Sequence, residues 1–161
     1  MNSKPESLAA VPVAQQMRQG EYTRAYEMLP YLMNRVTSRA NQLWLKTLRE
    51  HGLTIGRWQV LSVLSRFDGS RIGTIADLSG GEQPAVSRVI DQMERDGLVT
   101  RSASLQDSRA IEFWINDRGR LVIEELMPEA NAFVQRLLRK LDDSEVHQLT
   151  ALLEKLFSDM Q

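Results

Sequence analysis

Between residues 72 and 115 the chain is punctuated in a way that leaves few folds open. Gly80-Gly81 and Gly97 divide this stretch, Pro84 follows the first pair, and two β-prone runs close it. Glycine takes positive φ without steric cost, so a glycine just past an apolar-periodic run ends a helix. Proline lacks the backbone N–H and is tolerated in a helix's first turn. The pattern therefore predicts a short helix with Thr74 and Asp77 as a capping box, then a turn at Gly80-Gly81. A second helix starts near Pro84, buries Val86, Val89, Ile90 and Met93, and stops at Gly97. The runs Leu98 to Ala103 and Ala110 to Ile115 then read as a β-hairpin, linked by Leu105 to Arg109. Arg71-Ile72-Gly73 fits a small extra strand.

The flanks are helical. Leu29, Leu32, Met33, Val36, Ala40, Leu43 and Leu48 recur at steps of three and four and more, giving one apolar stripe that ends at His51-Gly52. Pro30 sits near its start. Trp58, Val60, Leu61, Val63, Leu64 and Phe67 mark a shorter helix, with Thr54 as N-cap and Asp68-Gly69-Ser70 as the closing turn. After the hairpin, a helix from Asp117 to Lys140 carries Leu121, Ile123, Leu126, Ala130, Phe133 and Leu137, with Asn116 as its cap and a bend expected at Pro128. Asp142 and Glu145 form a second capping box before a stripe of Val146, Leu149, Leu153, Leu156 and Met160. Trp44 and Trp114 read as packing residues.

Composition excludes several classes. The 161 residues contain no cysteine, which removes disulfides, thiolate metal sites and thiol redox sensing. No apolar run approaches the roughly 20 residues of a membrane helix, and the N-terminus lacks the form of a signal peptide. A cytoplasmic protein is expected. There is no phosphate-binding glycine loop, metal-ligand cluster or nucleophile elbow, and His51 and His147 sit in no motif. Catalysis is not expected, and no cofactor or metal is implied. Charge is uneven. Residues 15–70 hold eight Lys/Arg against four Asp/Glu, residues 71–120 seven against eight, and residues 121–161 four against eight. No segment is strongly basic.

Helix, turn, helix, hairpin is the order of a winged helix-turn-helix. A helix about 10–12 Å across fits a major groove about 12 Å wide, and a hairpin can reach the adjacent minor groove, where a narrow A·T-rich groove attracts arginine. On the second helix Gln83, Ala85, Ser87, Arg88 and Gln92 point away from the core, and amide, hydroxyl and guanidinium groups suit base edges and phosphates. Thr74 is counted with them. In the hairpin link, Asp107 can orient Arg109, and Arg101 can share that carboxylate. An ordinary polar helix face and a solvated loop arginine would leave the same pattern.

The run Gly97-Leu98-Val99-Thr100-Arg101, then Asp107-Ser108-Arg109, then Asn116-Asp117-Arg118-Gly119 resembles the MarR family of bacterial transcriptional regulators. Leu53-Thr54, Trp58, Leu61 and Leu64 are similar to its second helix, Val86 to Asp91 to its recognition helix, and Leu141 to Leu156 to its last helix. The likeness covers about residues 25–160. It implies a mainly α fold with a small β-hairpin wing, in which N- and C-terminal helices flank the winged helix-turn-helix and make an obligate homodimer. It further implies a recognition helix in the major groove, Arg109 in the minor groove, and Asp107 holding Arg109 and Arg101. A pseudo-palindromic double-stranded operator and release by a small aromatic or anionic ligand follow from the same resemblance. So does a cavity between the first two helices and the fifth, where Trp58 matches a lining position and Ser62 lies one turn on. Arg35 and Arg39 are candidates to hold an acidic ligand there. The family commonly has Thr where this chain has Asn116, and Asn caps equally well. The absent cysteine excludes the family's peroxide-sensing branch.

The organisation expected is thus a mobile tail over 1–20, a dimerisation helix over 21–51, the winged helix-turn-helix over 52–115, and dimerisation helices over 116–161. Long apolar stripes on the terminal helices need burial, and a second copy supplies it around a two-fold axis. Two recognition helices would then lie roughly 34–36 Å apart, one DNA turn. The rival reading is a winged-helix protein-interaction module that does not read DNA, which the weak basic character keeps open.

Overall fold

The structure is a computed structural model and describes residues 24–104, 107 and 109–159; the tail expected over 1–20 lies outside them. By its contacts the chain forms two units, residues 1–42 and 43–161. Helix α1 covers Arg24–Glu50 and is followed by α2 (Ile55–Leu64), β1 (Ser70–Arg71), α3 (Ile72–Ser79), α4 (Gln83–Arg95), β2 (Val99–Ala103), β3 (Ile111–Ile115), α5 (Asp117–Leu138) and α6 (Asp143–Ser158). Pro30 and Pro128 both lie inside unbroken helices.

In the first unit, Leu29, Tyr31, Leu32, Met33 and Val36 are exposed on α1. The second unit holds the core. Leu48, Leu61, Leu64, Ile75, Ile90, Met93 and Leu126 are almost fully buried there, so α2, α3, α4 and α5 share one apolar centre. Trp44 is also buried, edge-on to Trp58 and stacked on Phe133, each at 5.3 Å between ring centroids. No residue of α6 is buried; Leu149, Leu152, Leu153, Leu156 and Phe157 all face out.

Several expected caps are present. Thr54 accepts from Arg57 N at 3.3 Å, Asn116 from Gly119 N at 3.0 Å, and Asp142 and Glu145 cap reciprocally. The capping box at Thr74 is not. Helix α3 begins three residues earlier, with Arg71 as a cap whose side chain makes no capping bond, and Thr74 sits exposed inside the helix. The cause is β1, which pairs Ser70 with Phe113 and Arg71 with Glu112 and delivers the chain straight into α3. The small strand is therefore Ser70–Arg71, not Arg71 to Gly73. The sheet is antiparallel in the order β1-β3-β2.

Gly80 ends α3 at φ 69°, and Gly81 N donates back to Ala76 O at 3.1 Å. A Cβ on Gly81 would lie 2.8 Å from Val86, so the second glycine lets α4 close against the turn. The Gly-Gly pair makes this turn tight, and α4 starts at Gln83 with Pro84 in its first turn.

Candidate nucleic-acid interface

Helix α4 buries Val86, Ile90 and Met93, with Val89 half-buried beside Gly56. That fixes the opposite face. Gln83, Ala85, Arg88 and Gln92 are exposed and Ser87 is half-buried. Gln83 reaches back over Gly73, where a Cβ would meet its amide nitrogen at 3.3 Å. Arg88 donates Nε to Pro84 O at 3.1 Å, one turn back. This leaves its terminal nitrogens without a partner among the described residues.

The far end of α4 is held by groups that carried no local signal. Arg57 Nη2 donates to Asp96 Oδ2 at 2.6 Å, and Arg118 Nη1 to Asp96 O at 2.7 Å. Asn116 Nδ2 donates to Gly97 O. The helix is thus tied to α2 and to the start of α5, which sets the direction its exposed N-terminal residues present.

The wing differs from expectation at Arg101. Its Nε donates to Glu94 Oε2 and its Nη2 to Asp91 Oδ1, both at 2.7 Å, with the guanidinium 5.9 Å from the Phe113 ring centre. The bond to Glu94 and then that to Asp91 hold its pKa above the ordinary arginine value. Arg101 does not share Asp107. Asp91 and Glu94 are three residues apart on one face of α4, so their two carboxylates meet the guanidinium fork together. Asp107 instead shapes the link: its Oδ1 accepts the backbone N–H of Arg109 at 3.1 Å, and its carbonyl that of Ala110 at 2.8 Å. The Arg109 side chain is exposed and unpaired among the described residues.

These pairings also explain the weak charge signal. Asp91, Glu94 and Asp96 are engaged by Arg101 and Arg57. Arg71, Arg88, Arg95 and Arg109 remain exposed with no ion-pair partner among the described residues. A segment count cannot see that difference.

Trp58 and Ser62 do share a cleft, of about 320 Å³. It is lined by α2, the turn after it and the end of α3, including Val63, Arg66, Phe67 and Leu78. That is not the expected arrangement of first, second and fifth helices. Ser62 Oγ is buried with no hydrogen-bond partner among the described residues. Trp58 is both packing and lining, since one edge rests on Trp44. Arg39 is not among the lining residues; it is exposed and its Nη1 reaches Gln42 Oε1 at 3.5 Å. Arg35 is likewise exposed on α1 and absent from the lining.

A family model for MarR matches residues 53–111, the stretch from α2 to the start of β3. A solved MarR-family transcriptional regulator from Silicibacter pomeroyi is 32% identical, with a TM-score of 0.73 over 82% of this chain and 89% of that one. The chain belongs to the MarR family. Membership makes it a transcriptional regulator and not an enzyme. The HTH-type transcriptional repressor IacR of Pseudomonas putida is 27% identical over 81% of this chain and 78% of its own length. BpsR of Bordetella bronchiseptica, whose DNA binding is regulated by 6-hydroxynicotinic acid, shares the fold at a TM-score of 0.72 and 22% identity, over 80% of this chain and 98% of that one. Among the described residues, no helix is long and apolar enough to cross a membrane.

Proposed function

We propose that the protein is a homodimeric repressor that reads a pseudo-palindromic operator and is released by a small aromatic or anionic ligand. The observation that carries the DNA reading is the group of exposed Gln83, Ala85 and Arg88 with half-buried Ser87 at the start of α4, on a helix whose other face is locked in the core. These side chains, with Thr74 on α3, meet base edges and phosphates in the major groove. Arg109, presented by the Asp107-shaped link, enters the minor groove. Dimerisation is supported by the exposed apolar residues of α1 and α6, which a two-fold partner would cover. Repression is supported by the likeness to the repressor IacR, and control by a small ligand by the likeness to BpsR, whose DNA binding is regulated by 6-hydroxynicotinic acid. Trp58 and Ser62 supply the site in this chain, with Arg66 beside them for an acidic group. The role expected for Arg39 has no such support beyond its charge.

The test is selection from a randomised duplex pool by the wild-type protein. The expected product is a two-fold symmetric consensus with half-site centres about 10–10.5 base pairs apart or a multiple of it. Enrichment of no sequence would contradict the reading.

A further inference from the structure

We propose that Arg101 is a positioning residue, which locks the outer part of the wing to the recognition helix through Asp91 and Glu94 and leaves DNA contact to other groups. The inference rests on the DNA-binding reading and refines it. Strand β2 is buried only at its base: Val99 is inside, whereas Thr100 to Ala103 are all exposed. Packing holds that stretch little. Among the described residues, the side-chain hydrogen bonds that tie it to α4 are those of the Arg101 fork, two charge-assisted bonds at 2.7 Å reinforced by the Phe113 ring. Arg101 faces Phe113 across the β2–β3 ladder, so the same side chain is referenced to both wing strands.

The link that carries Arg109 lies beyond the end of β2. With about 3.3 Å of rise per residue, a small rotation at the strand base becomes a displacement of several ångströms at the link. Arg101 acts between base and tip, where it limits that rotation. Direct phosphate binding by Arg101 has the opposite requirement. The guanidinium would have to leave Asp91 and Glu94, and two bare carboxylates would then stand on the helix that approaches a polyanion.

The two roles predict opposite signs for one experiment. In D91N/E94Q, Arg101 is freed and two negative charges disappear. A phosphate contact then gains strength, and affinity for the wild-type consensus duplex rises. A lock is lost, and that affinity falls about tenfold or more, while low-salt binding to a scrambled duplex is kept or increased. Arg101→Gln should lose as much, and adding D91N/E94Q to it should cost nothing further. Repeating the selection with Arg101→Gln should return the half-site core read by α4 but lose preference at the flanking positions met by the wing. Such a loss is not expected from a general drop in stability. All three groups are at least one-third exposed, so the fold should survive, and an unchanged unfolding midpoint checks this. Tighter consensus binding by D91N/E94Q, or unchanged flanks with Arg101→Gln, would overturn the inference. A wild type that enriches no sequence removes the DNA reading and this inference with it.

Discussion

Asp68 Oδ1 accepts the backbone N–H of Ile115 at 2.8 Å, which ties the turn after α2 to the last residue of β3. Its second oxygen takes Arg120 of α5. One carboxylate therefore fixes the base of the wing to two helices. Asp68→Ala should destabilise the protein by about 1.5–3 kcal/mol, the range for a partly buried bond to a charged group. Asp68→Asn, which can still accept from Ile115, should cost less. Urea unfolding checks both, and equal stability of all three proteins would show that the bond contributes nothing.

Two glycines near that base should fail for different reasons. A Cβ on Gly119 would overlap the Leu98 carbonyl oxygen and crowd Ile115. Gly97 has open space but sits at φ 70°. Gly119→Ala is expected to cost about 1–3 kcal/mol or more, because backbone cannot step aside. Gly97→Ala should cost about 1–2 kcal/mol from the left-handed conformation alone. Thermal unfolding that ranks Gly97→Ala as the more damaging would contradict this account.

Arg109 and Arg88 should separate by what they read. Arg109→Ala should weaken binding to the selected duplex by about 1–3 kcal/mol per half-site and leave the dimer and the unfolding midpoint unchanged. Arg88→Ala should change the preferred bases more than the total affinity. Competition against single-base variants of the duplex measures both, and a uniform loss for Arg88→Ala would make it a phosphate contact.

The α2–α3 cleft gives a ligand prediction. Aromatic carboxylates placed against Trp58, Phe67 and Leu78 with their acid group on Arg66 should raise the thermal midpoint; at 100 times Kd the gain is about 2.7 kcal/mol. Arg66→Gln should abolish the shift for the acids and keep it for neutral phenols. A panel in which no aromatic acid shifts the wild type would sink the assignment of this cleft.

What the sequence made legible was local. Helix stripes, the stop at Gly97, and the caps at Thr54, Asn116 and Asp142 rest on partners within a few residues, and the structure has each of them. Thr74 misled because β1, paired with a strand some forty residues on, sets where α3 begins. Asp68 read as an ordinary turn residue because its partner is 47 positions away, and Arg57 gave no signal because Asp96 is 39 away. Arg101 lies in the wing, as its position in the sequence indicates, but its carboxylate partners are on α4. Loop proximity suggested Asp107, whereas two acids on a helix face offer the fork a better fit.

In the proposed function this fold binds DNA with a few placed arginines. Its most direct test is the affinity of the wild type for its selected duplex across a salt series. A linear fall of log K with log salt is expected, with a slope of about −0.9 for each phosphate neutralised, and a shallower slope for Arg109→Ala. No binding to any duplex at low salt would contradict it.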